Sequence, residues 1–218
     1  MTKLKIGVLE MSNDSTEWYL NRLAKSLNEL EISKYPTNFE AINQLLPQPS
    51  VALFELLNSF LPNTNDLSFL LVPNITIHVM LDELFLEHQH TYSLVHPLSL
   101  TIERLRKNRV NEVVIFGSYY TMRDGYVSKK MELDGVSCSF PSKEDILSID
   151  ACRKAVFQNK ASAELISNFK ALVQKYAKMN TVVLACTELS MAYNGSMDNV
   201  LDMAQMQIDF CAQLVESN

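Results

Sequence analysis

Short apolar segments alternate with longer amphipathic segments along the chain, and this alternation restricts the fold more than any other feature. The apolar runs are KIGVL (5–9), LSFLLV (67–72), YSLV (92–95), EVVIFG (112–117), VSCSF (136–140) and TVVLAC (181–186). Short runs that are almost entirely apolar are typical of strands covered on both faces, as in a parallel sheet. Strands alternating with helices predict an α/β fold, so we expect doubly wound, Rossmann-like units with parallel sheets.

Polar residues mark the expected starts of several helices. Capping-box spacing occurs at three places: Asp14 with Glu17, Thr37 with Glu40, and Ser142 with Asp145. The helical stretch that begins near residue 122 is expected to end at Gly135, a glycine that follows a helix C-terminus. Residues 36–50 contain three prolines and no glycine, which predicts a mobile loop. Residues 197–215 have the spacing of a helix.

The composition and the absence of certain motifs argue against several classes of function. The net charge is −6 without a large basic cluster, so we expect no binding to nucleic acid. No apolar run approaches the roughly 18 residues of a membrane span, and no signal peptide is recognised at the N-terminus. We therefore expect a cytoplasmic protein without membrane contact. The four cysteines are widely spaced, which predicts free thiols, and no metal-ligand or nucleotide-binding motif occurs.

Polar residues follow two of the predicted strands directly, at the ends where α/β folds bind their ligands. The segment CTE (186–188) follows TVVLA, and NITIH (74–78) comes shortly after LSFLLV. The two regions are similar, since each has an apolar strand, then Asn or Cys, then a threonine and a helix. This similarity predicts two related halves, residues 1–97 plus 198–218 and residues 98–197.

Four segments resemble the aspartate/glutamate racemase family, the cofactor-independent amino-acid racemases. They are KIGVLEMSNDSTEWYLNRL, LLVPNITIHVMLDEL, VVIFGSYYTMRDGYVSKKMELDGV and VVLACTELS, in the family's order and spread over nearly the whole chain. The second and fourth are similar to the family's two catalytic segments, of the types PCNTAH and GCTE. The resemblance implies two pseudo-symmetric halves with an active-site cleft between them, and a homodimer.

The resemblance also implies a site and its chemistry. Cys186 would be an acid/base that transfers the proton at Cα of an acidic amino acid, while Asn74 and His78 would occupy the other catalytic segment. Substrate contacts are implied for Ser12, Thr76, Ser118, Thr121, Thr187 and Glu188. No metal and no cofactor are expected. A helix N-terminus or a nearby cation is expected to lower the pKa of Cys186, because the thiolate is the reactive form.

Asn74 departs from the family at a chemically decisive position, because it stands where the family has its first catalytic cysteine. An amide cannot be a general base. Glu10, in place of an opening glycine, also puts a carboxylate near a site for anions.

Three interpretations follow from this departure. A racemase-like enzyme could use His78, Thr76 or a held water in place of the thiol. Alternatively, the protein is a single-cysteine decarboxylase or cis–trans isomerase of the same superfamily. The third interpretation is a catalytically silent relative that binds a small carboxylate or a protein partner. The expected small-molecule partner is an amino acid or a dicarboxylate.

Overall fold

The structure is a computed structural model that describes residues 4–26 and 31–216. The chain divides into two compact units, which we call unit 1 (Met1–His96 and Gln207–Asn218) and unit 2 (Pro97–Met206). Each unit contains a four-stranded parallel sheet with helices between its strands. The predicted α/β fold with two similar halves is therefore confirmed.

The sheet of unit 1 has the strand order β2-β1-β3-β4. Its strands are β1 (Lys5–Leu9), β2 (Glu31–Tyr35), β3 (Phe69–Leu71) and β4 (Ser93–Leu94). The helices are α1 (Asn13–Ser26), α2 (Phe39–Leu45), α3 (Val51–Phe60) and α4 (His78–Glu87). The two central strands, β1 and β3, carry apolar side chains such as Val8 and Leu70 that are completely buried, as expected for strands covered on both faces.

The sheet of unit 2 repeats this arrangement with the order β6-β5-β7-β8. Its helices are α5 (Pro97–Lys107), α6 (Thr121–Asp124), α7 (Tyr126–Leu133), α8 (Lys143–Phe157), α9 (Ala163–Ala177) and α10 (Thr187–Tyr193). Its strands are β5 (Glu112–Phe116), β6 (Ser137–Ser139), β7 (Thr181–Leu184) and β8 (Val200–Asp202), and α11 (Met203–Glu216) follows. In both sheets the first strand of the unit therefore lies between the second and the third, and the fourth is at the edge.

Two edge strands were not expected from the sequence. β2 has the sequence EISKY and remains partly exposed, so it lacks the apolar run that marks the central strands. β8 is three residues long and lies inside the predicted helix 197–215, which actually begins as α11 at Met203. Edge strands bury less surface than central ones, and their sequences carry a weaker pattern for that reason.

The helix starts agree only partly with the predicted capping residues. Ser142 caps α8 as predicted, since its side chain accepts a hydrogen bond from the amide of Asp145. The prediction for Asp14 is wrong, because α1 begins one residue earlier and the Oγ of Ser12 accepts from the amide of Ser15 at 3.3 Å. The prediction for Thr37 is also wrong, because Asn38 caps α2.

Two further segments differ from their predictions. The predicted loop 36–50 contains α2 (Phe39–Leu45). The helix expected to end at Gly135 is two helices, α6 and α7, interrupted at Gly125. Gly135 itself has φ of +79°, the left-handed conformation expected of a glycine after a helix. Within the described part of the chain, no helix is both long enough and apolar enough to cross a membrane.

Gln207 connects α11 to α1 and to the residue after β4 through a completely buried side chain. Its Oε1 accepts a hydrogen bond from the hydroxyl of Tyr19 at 2.7 Å, and its Nε2 donates to the carbonyl of Val95 at 2.7 Å.

The substitution Gln207→Leu would remove both bonds in a dry environment, so we expect a loss of about 2–4 kcal/mol in the free energy of unfolding. Urea denaturation measures this loss. The control Gln44→Leu, at an exposed position of α2, should change stability by less than about 0.5 kcal/mol, and equal effects of the two substitutions would contradict the prediction.

Candidate functional site

The predicted site residues all follow the central strands of the two sheets. The strand order reverses between β1 and β3 in one sheet and between β5 and β7 in the other. Doubly wound folds bind their ligands beyond the carboxyl ends of the strands at such a point. Ser12 follows β1; Asn74, Thr76 and His78 follow β3; Ser118 and Thr121 follow β5; Cys186, Thr187 and Glu188 follow β7. The strand order therefore groups the first four residues in unit 1 and the other five in unit 2.

Cys186 forms a hydrogen-bonded pair with Glu188 in unit 2. It is the residue immediately before α10 and has an extended backbone, with φ of −161° and ψ of 128°. Its Sγ donates to Oε2 of Glu188 across 2.9 Å, and the residue is only 9% exposed. The turn from β7 into α10 thus places a thiol and its proton acceptor at the carboxyl end of a central strand.

The surroundings raise the pKa of Cys186 well above its usual value. Burial has the largest effect, and the carboxylate of Glu188 adds to it by disfavouring a second negative charge nearby. The guanidinium of Arg153 and the backbone amide of Leu189 act in the opposite direction but are weaker. The predicted lowering of this pKa is therefore wrong. The resting form is the thiol, and Glu188 is the carboxylate placed to accept its proton.

Thr187 brings an unpaired hydroxyl to the same place. The residue is 3% exposed, and its Oγ1 has no hydrogen-bond partner among the residues that the structure describes. A buried hydroxyl without a partner costs about 1–3 kcal/mol, so proteins rarely keep one without a use. A ligand carboxylate at the carboxyl end of β7 would supply the missing acceptor.

The loop after β5 holds two more hydroxyls close together. Ser118 Oγ lies 2.9 Å from Thr121 Oγ1, and it also accepts from the amide of Thr121 at 3.1 Å. Gly117 permits this turn, because a Cβ at that position would lie only 2.8 Å from the side chain of Thr121. The structure therefore brings Ser118 and Thr121 into direct contact.

Three charged residues of α8 form a cluster in unit 2 that the sequence analysis did not select. The buried carboxylate of Asp150 accepts at Oδ1 from Arg153 Nε at 2.8 Å and from the amide of Tyr119 at 3.1 Å. Its Oδ2 pairs with Lys154 at 2.8 Å. Burial opposes ionisation of Asp150, but the hydrogen bonds from Lys154 and Arg153 lower its pKa. The available signal was helical spacing, since Asp150 lies four residues after the buried Ile146 and so falls on the buried face of α8.

Asn74 in unit 1 uses both of its oxygen atoms within its own turn. Its Oδ1 accepts from the amide of Ile77 at 3.2 Å, and its carbonyl lies 2.7 Å from Nδ1 of His78. Because Oδ1 already accepts a hydrogen bond, the NH₂ is the remaining polar group of this side chain, and it can only donate. The geometry agrees with an amide that binds an acceptor and cannot remove a proton.

His78 is a buried and neutral imidazole. Its Nδ1 must carry the proton, because the carbonyl of Asn74 can only accept. Its Nε2 has no hydrogen-bond partner within the described ranges 4–26 and 31–216. Burial, followed by the neighbouring His96, lowers the pKa of His78 to about 3. The ring centroids of the two histidines are 5.0 Å apart. An imidazole with so low a pKa is a weak base at neutral pH.

The turn after β1 contains Ser12 and a carboxylate whose charge is compensated. Ser12 Oγ donates to Ser15 Oγ at 2.8 Å at the start of α1, and Thr76 is half-buried in the turn before α4. Glu10 pairs with Lys34 across 2.7 Å, so its charge is largely offset within unit 1.

Among the described residues, no group of three or more His, Cys, Asp or Glu side chains is arranged to hold a metal ion.

Comparisons with known proteins identify the fold. No protein-family model matches the sequence, and no curated protein matches it either. Solved structures do match. An aspartate racemase homologue from Pyrococcus horikoshii is 19% identical, with a TM-score of 0.76, and the alignment covers 99% of this chain and 100% of that one.

Two other solved structures show how widely this fold is used. A glutamate racemase from Francisella tularensis, in complex with D-glutamate, is 10% identical, with a TM-score of 0.61 over 100% of this chain and 83% of that one. A maleate isomerase from Pseudomonas putida is 9% identical, with a TM-score of 0.51 over 98% and 93%. The chain therefore has the α/β fold shared by these isomerases. More particularly, its fold is that of the aspartate and glutamate racemases, as the sequence resemblance predicts.

Proposed function

We propose that this protein is a racemase-like enzyme that removes and returns the α proton of a small acidic amino acid, with Cys186 as the acid/base and without a cofactor. The observation that carries the proposal is the 2.9 Å hydrogen bond from Cys186 Sγ to Glu188 Oε2. It joins a thiol to a proton acceptor beside the unpaired hydroxyl of Thr187. These three groups are what proton transfer next to a carboxylate requires.

The reaction can be written so that every proton is accounted for. Glu188 accepts the proton of Cys186, and the resulting thiolate takes the proton from Cα. The electron pair left on carbon spreads into the adjacent carboxyl group, which Thr187 holds by its hydroxyl, with Ser118 and Thr121 assisting. The reverse transfers restore the substrate, the thiol and the carboxylate. A thiolate in a buried setting is a strong base, which suits a weakly acidic C–H bond.

Neither Asn74 nor His78 of unit 1 provides a second acid/base. The side-chain NH₂ of Asn74 can donate a hydrogen bond but does not exchange protons with carbon. His78 is fully buried, and its pKa of about 3 makes it a weak base. We therefore expect exchange of the α proton on one face of the substrate, without inversion.

Exchange of the α proton in heavy water tests the proposal directly. The protein is incubated with L-Asp, D-Asp, L-Glu and D-Glu in separate samples, and the α-proton signal is followed by NMR. Chiral chromatography of the same samples reports inversion. The expected result is loss of signal from one enantiomer of one amino acid, with its configuration retained. Absence of exchange from all four amino acids would overturn the proposal.

A second candidate function is a decarboxylation or a cis–trans isomerisation that needs a single thiol. The presence of one catalytic thiol with Asn74 at the other position favours it, and the solved maleate isomerase shares the fold. The test is incubation with maleate and with an α-substituted malonate. Fumarate or a monocarboxylate should form in a reaction that requires Cys186. Binding of a dicarboxylate without any of these conversions would instead indicate a silent relative.

A further inference from the structure

Arg153 brings a positive charge into the region of the thiol–carboxylate pair of unit 2, and no step of the proposed reaction uses it. Its helix, α8, packs against α10, the helix that begins directly after Cys186. The side chain is 21% exposed. The guanidinium is close enough for its charge to act on both Cys186 and Glu188. A cation in this position can influence how the pair shares its proton.

Asp150 holds this guanidinium in place. Its side chain is 6% exposed, and it accepts from Arg153 Nε at 2.8 Å. The same oxygen accepts from the amide of Tyr119, which lies in the loop that carries Ser118. Of the five N–H groups of an arginine, Nε provides one, so the bond to Asp150 anchors the side chain at its inner nitrogen.

The charges of this cluster are balanced in a specific way. Lys154, on the solvent side of α8 and 61% exposed, pairs with the second oxygen of Asp150. Cys186 and Glu188 share one proton in their hydrogen bond, so the pair carries one negative charge whichever atom holds that proton. The positive charge of Lys154 therefore balances the negative charge of Asp150. The positive charge of Arg153 balances the negative charge of the Cys186–Glu188 pair.

We propose that Arg153, clamped by Asp150, is a positioning residue that keeps the Cys186–Glu188 pair singly negative and stabilises its thiolate form. This inference rests on the proposed function in taking Cys186 as the reacting group, but its test requires no substrate. A fixed cation favours the thiolate, and a low-dielectric surrounding strengthens that effect. Removing the charge should therefore make the thiolate rarer at every pH below the pKa of the thiol.

The rate of alkylation by iodoacetamide measures the thiolate fraction of Cys186. Rates are determined between pH 7 and pH 9 by mass spectrometry of the peptide that contains residue 186, in the wild-type protein and in Arg153→Met. Below its pKa, a thiol reacts in proportion to its thiolate fraction, so an increase of about one pKa unit lowers the rate about tenfold. We expect a decrease of this size in Arg153→Met at each pH. The peptide that contains Cys138 serves as an internal control and should react at an unchanged rate.

Two matched variants separate the charge of Arg153 from general damage to α8. Lys154→Met removes the other cation bound to Asp150 and should leave the rate for Cys186 within about twofold of wild type. Arg153→Lys keeps the charge and should recover most of the lost rate. If Arg153→Met reacts as fast as the wild-type protein, the inference is wrong. An equal decrease in Arg153→Met and Lys154→Met would also overturn it.

A third variant covers the case in which Arg153→Met does not fold. The double variant Asp150→Asn/Lys154→Met loosens the clamp, keeps the guanidinium and removes the two mutually offsetting charges of residues 150 and 154 together. The rate for Cys186 should therefore fall about threefold, less than the tenfold expected for complete loss of the charge. An unchanged rate in this variant would overturn the inference. Because alkylation proceeds without substrate, a negative result here leaves the exchange assay unaffected. A negative exchange assay likewise leaves this test valid.

Discussion

Replacing Cys186 with serine is expected to reduce α-proton exchange by about 10²- to 10⁴-fold, the usual contribution of a general acid/base. Serine keeps the shape of the side chain and can still donate to Glu188. Its hydroxyl is a much weaker acid than a thiol, so the carboxylate of Glu188 cannot produce the base that takes the proton from Cα. The initial rate of deuterium incorporation, measured with the amino acid that the wild-type protein exchanges, gives this factor.

Cys138→Ser is the matched control for this substitution. Cys138 also belongs to unit 2, but its Sγ lies near the carbonyl of Ser128 and the sulfur of Met131. Burial raises the pKa of Cys138 to about 12, so its thiolate is rare at neutral pH. The same chemical change at this position should leave the exchange rate unaltered. Exchange that persisted in Cys186→Ser at the wild-type rate would show that another group removes the proton.

Introducing a thiol at position 74 is expected to convert exchange with retention into racemisation. The sequence resemblance implies that Asn74 takes the position of the racemase family's first catalytic cysteine, and an amide cannot supply or accept the proton that inversion needs. In Asn74→Cys, the product of the opposite configuration should form at a rate at least about tenfold above that of the wild-type protein, which corresponds to a gain of about 1.4 kcal/mol in stabilisation of the inverting transition state. Chiral chromatography of the products measures this rate.

Asn74→Ala is the control that isolates the thiol in this experiment. Both substitutions remove the hydrogen bond that Asn74 Oδ1 accepts from the amide of Ile77. Each should therefore cost the protein a similar amount of stability, about 1 kcal/mol by analogy with helix caps. Inversion that is equal in the two variants would contradict the prediction. Inversion confined to Asn74→Cys would identify residue 74 as the position that decides between retention and inversion.

The central strands of both sheets were predictable because they leave a simple pattern in the sequence. β1, β3, β5 and β7 are covered on both faces, and their apolar runs follow directly from that burial. The edge strands β2 and β8 carry no such run, and their positions depend on pairing with a neighbouring strand. The carboxyl ends of the central strands could therefore be located in the sequence, but the complete sheets could not.

The charges of the candidate site were harder to predict than its positions. Cys186 and Glu188 are two residues apart, and the spacing alone does not tell whether the carboxylate turns towards the sulfur. Burial of the thiol, followed by the charge of Glu188 and its hydrogen bond with the sulfur, raises the pKa of Cys186, against the prediction. Arg153 lies 33 residues earlier in the chain, and only the packing of α8 against α10 brings its charge to the thiol.

The groups with the strongest influence on the acidity of Cys186 are Glu188, Arg153 and the amide of Leu189, and all three belong to the uninterrupted stretch Pro97–Met206. Asn74 comes from the other unit. The acidity of the thiol and the identity of residue 74 are thus encoded in separate parts of the gene. A substitution in the first part can leave the thiol chemistry of the second part intact, so a one-sided and a two-sided reaction can differ by a change at a single codon.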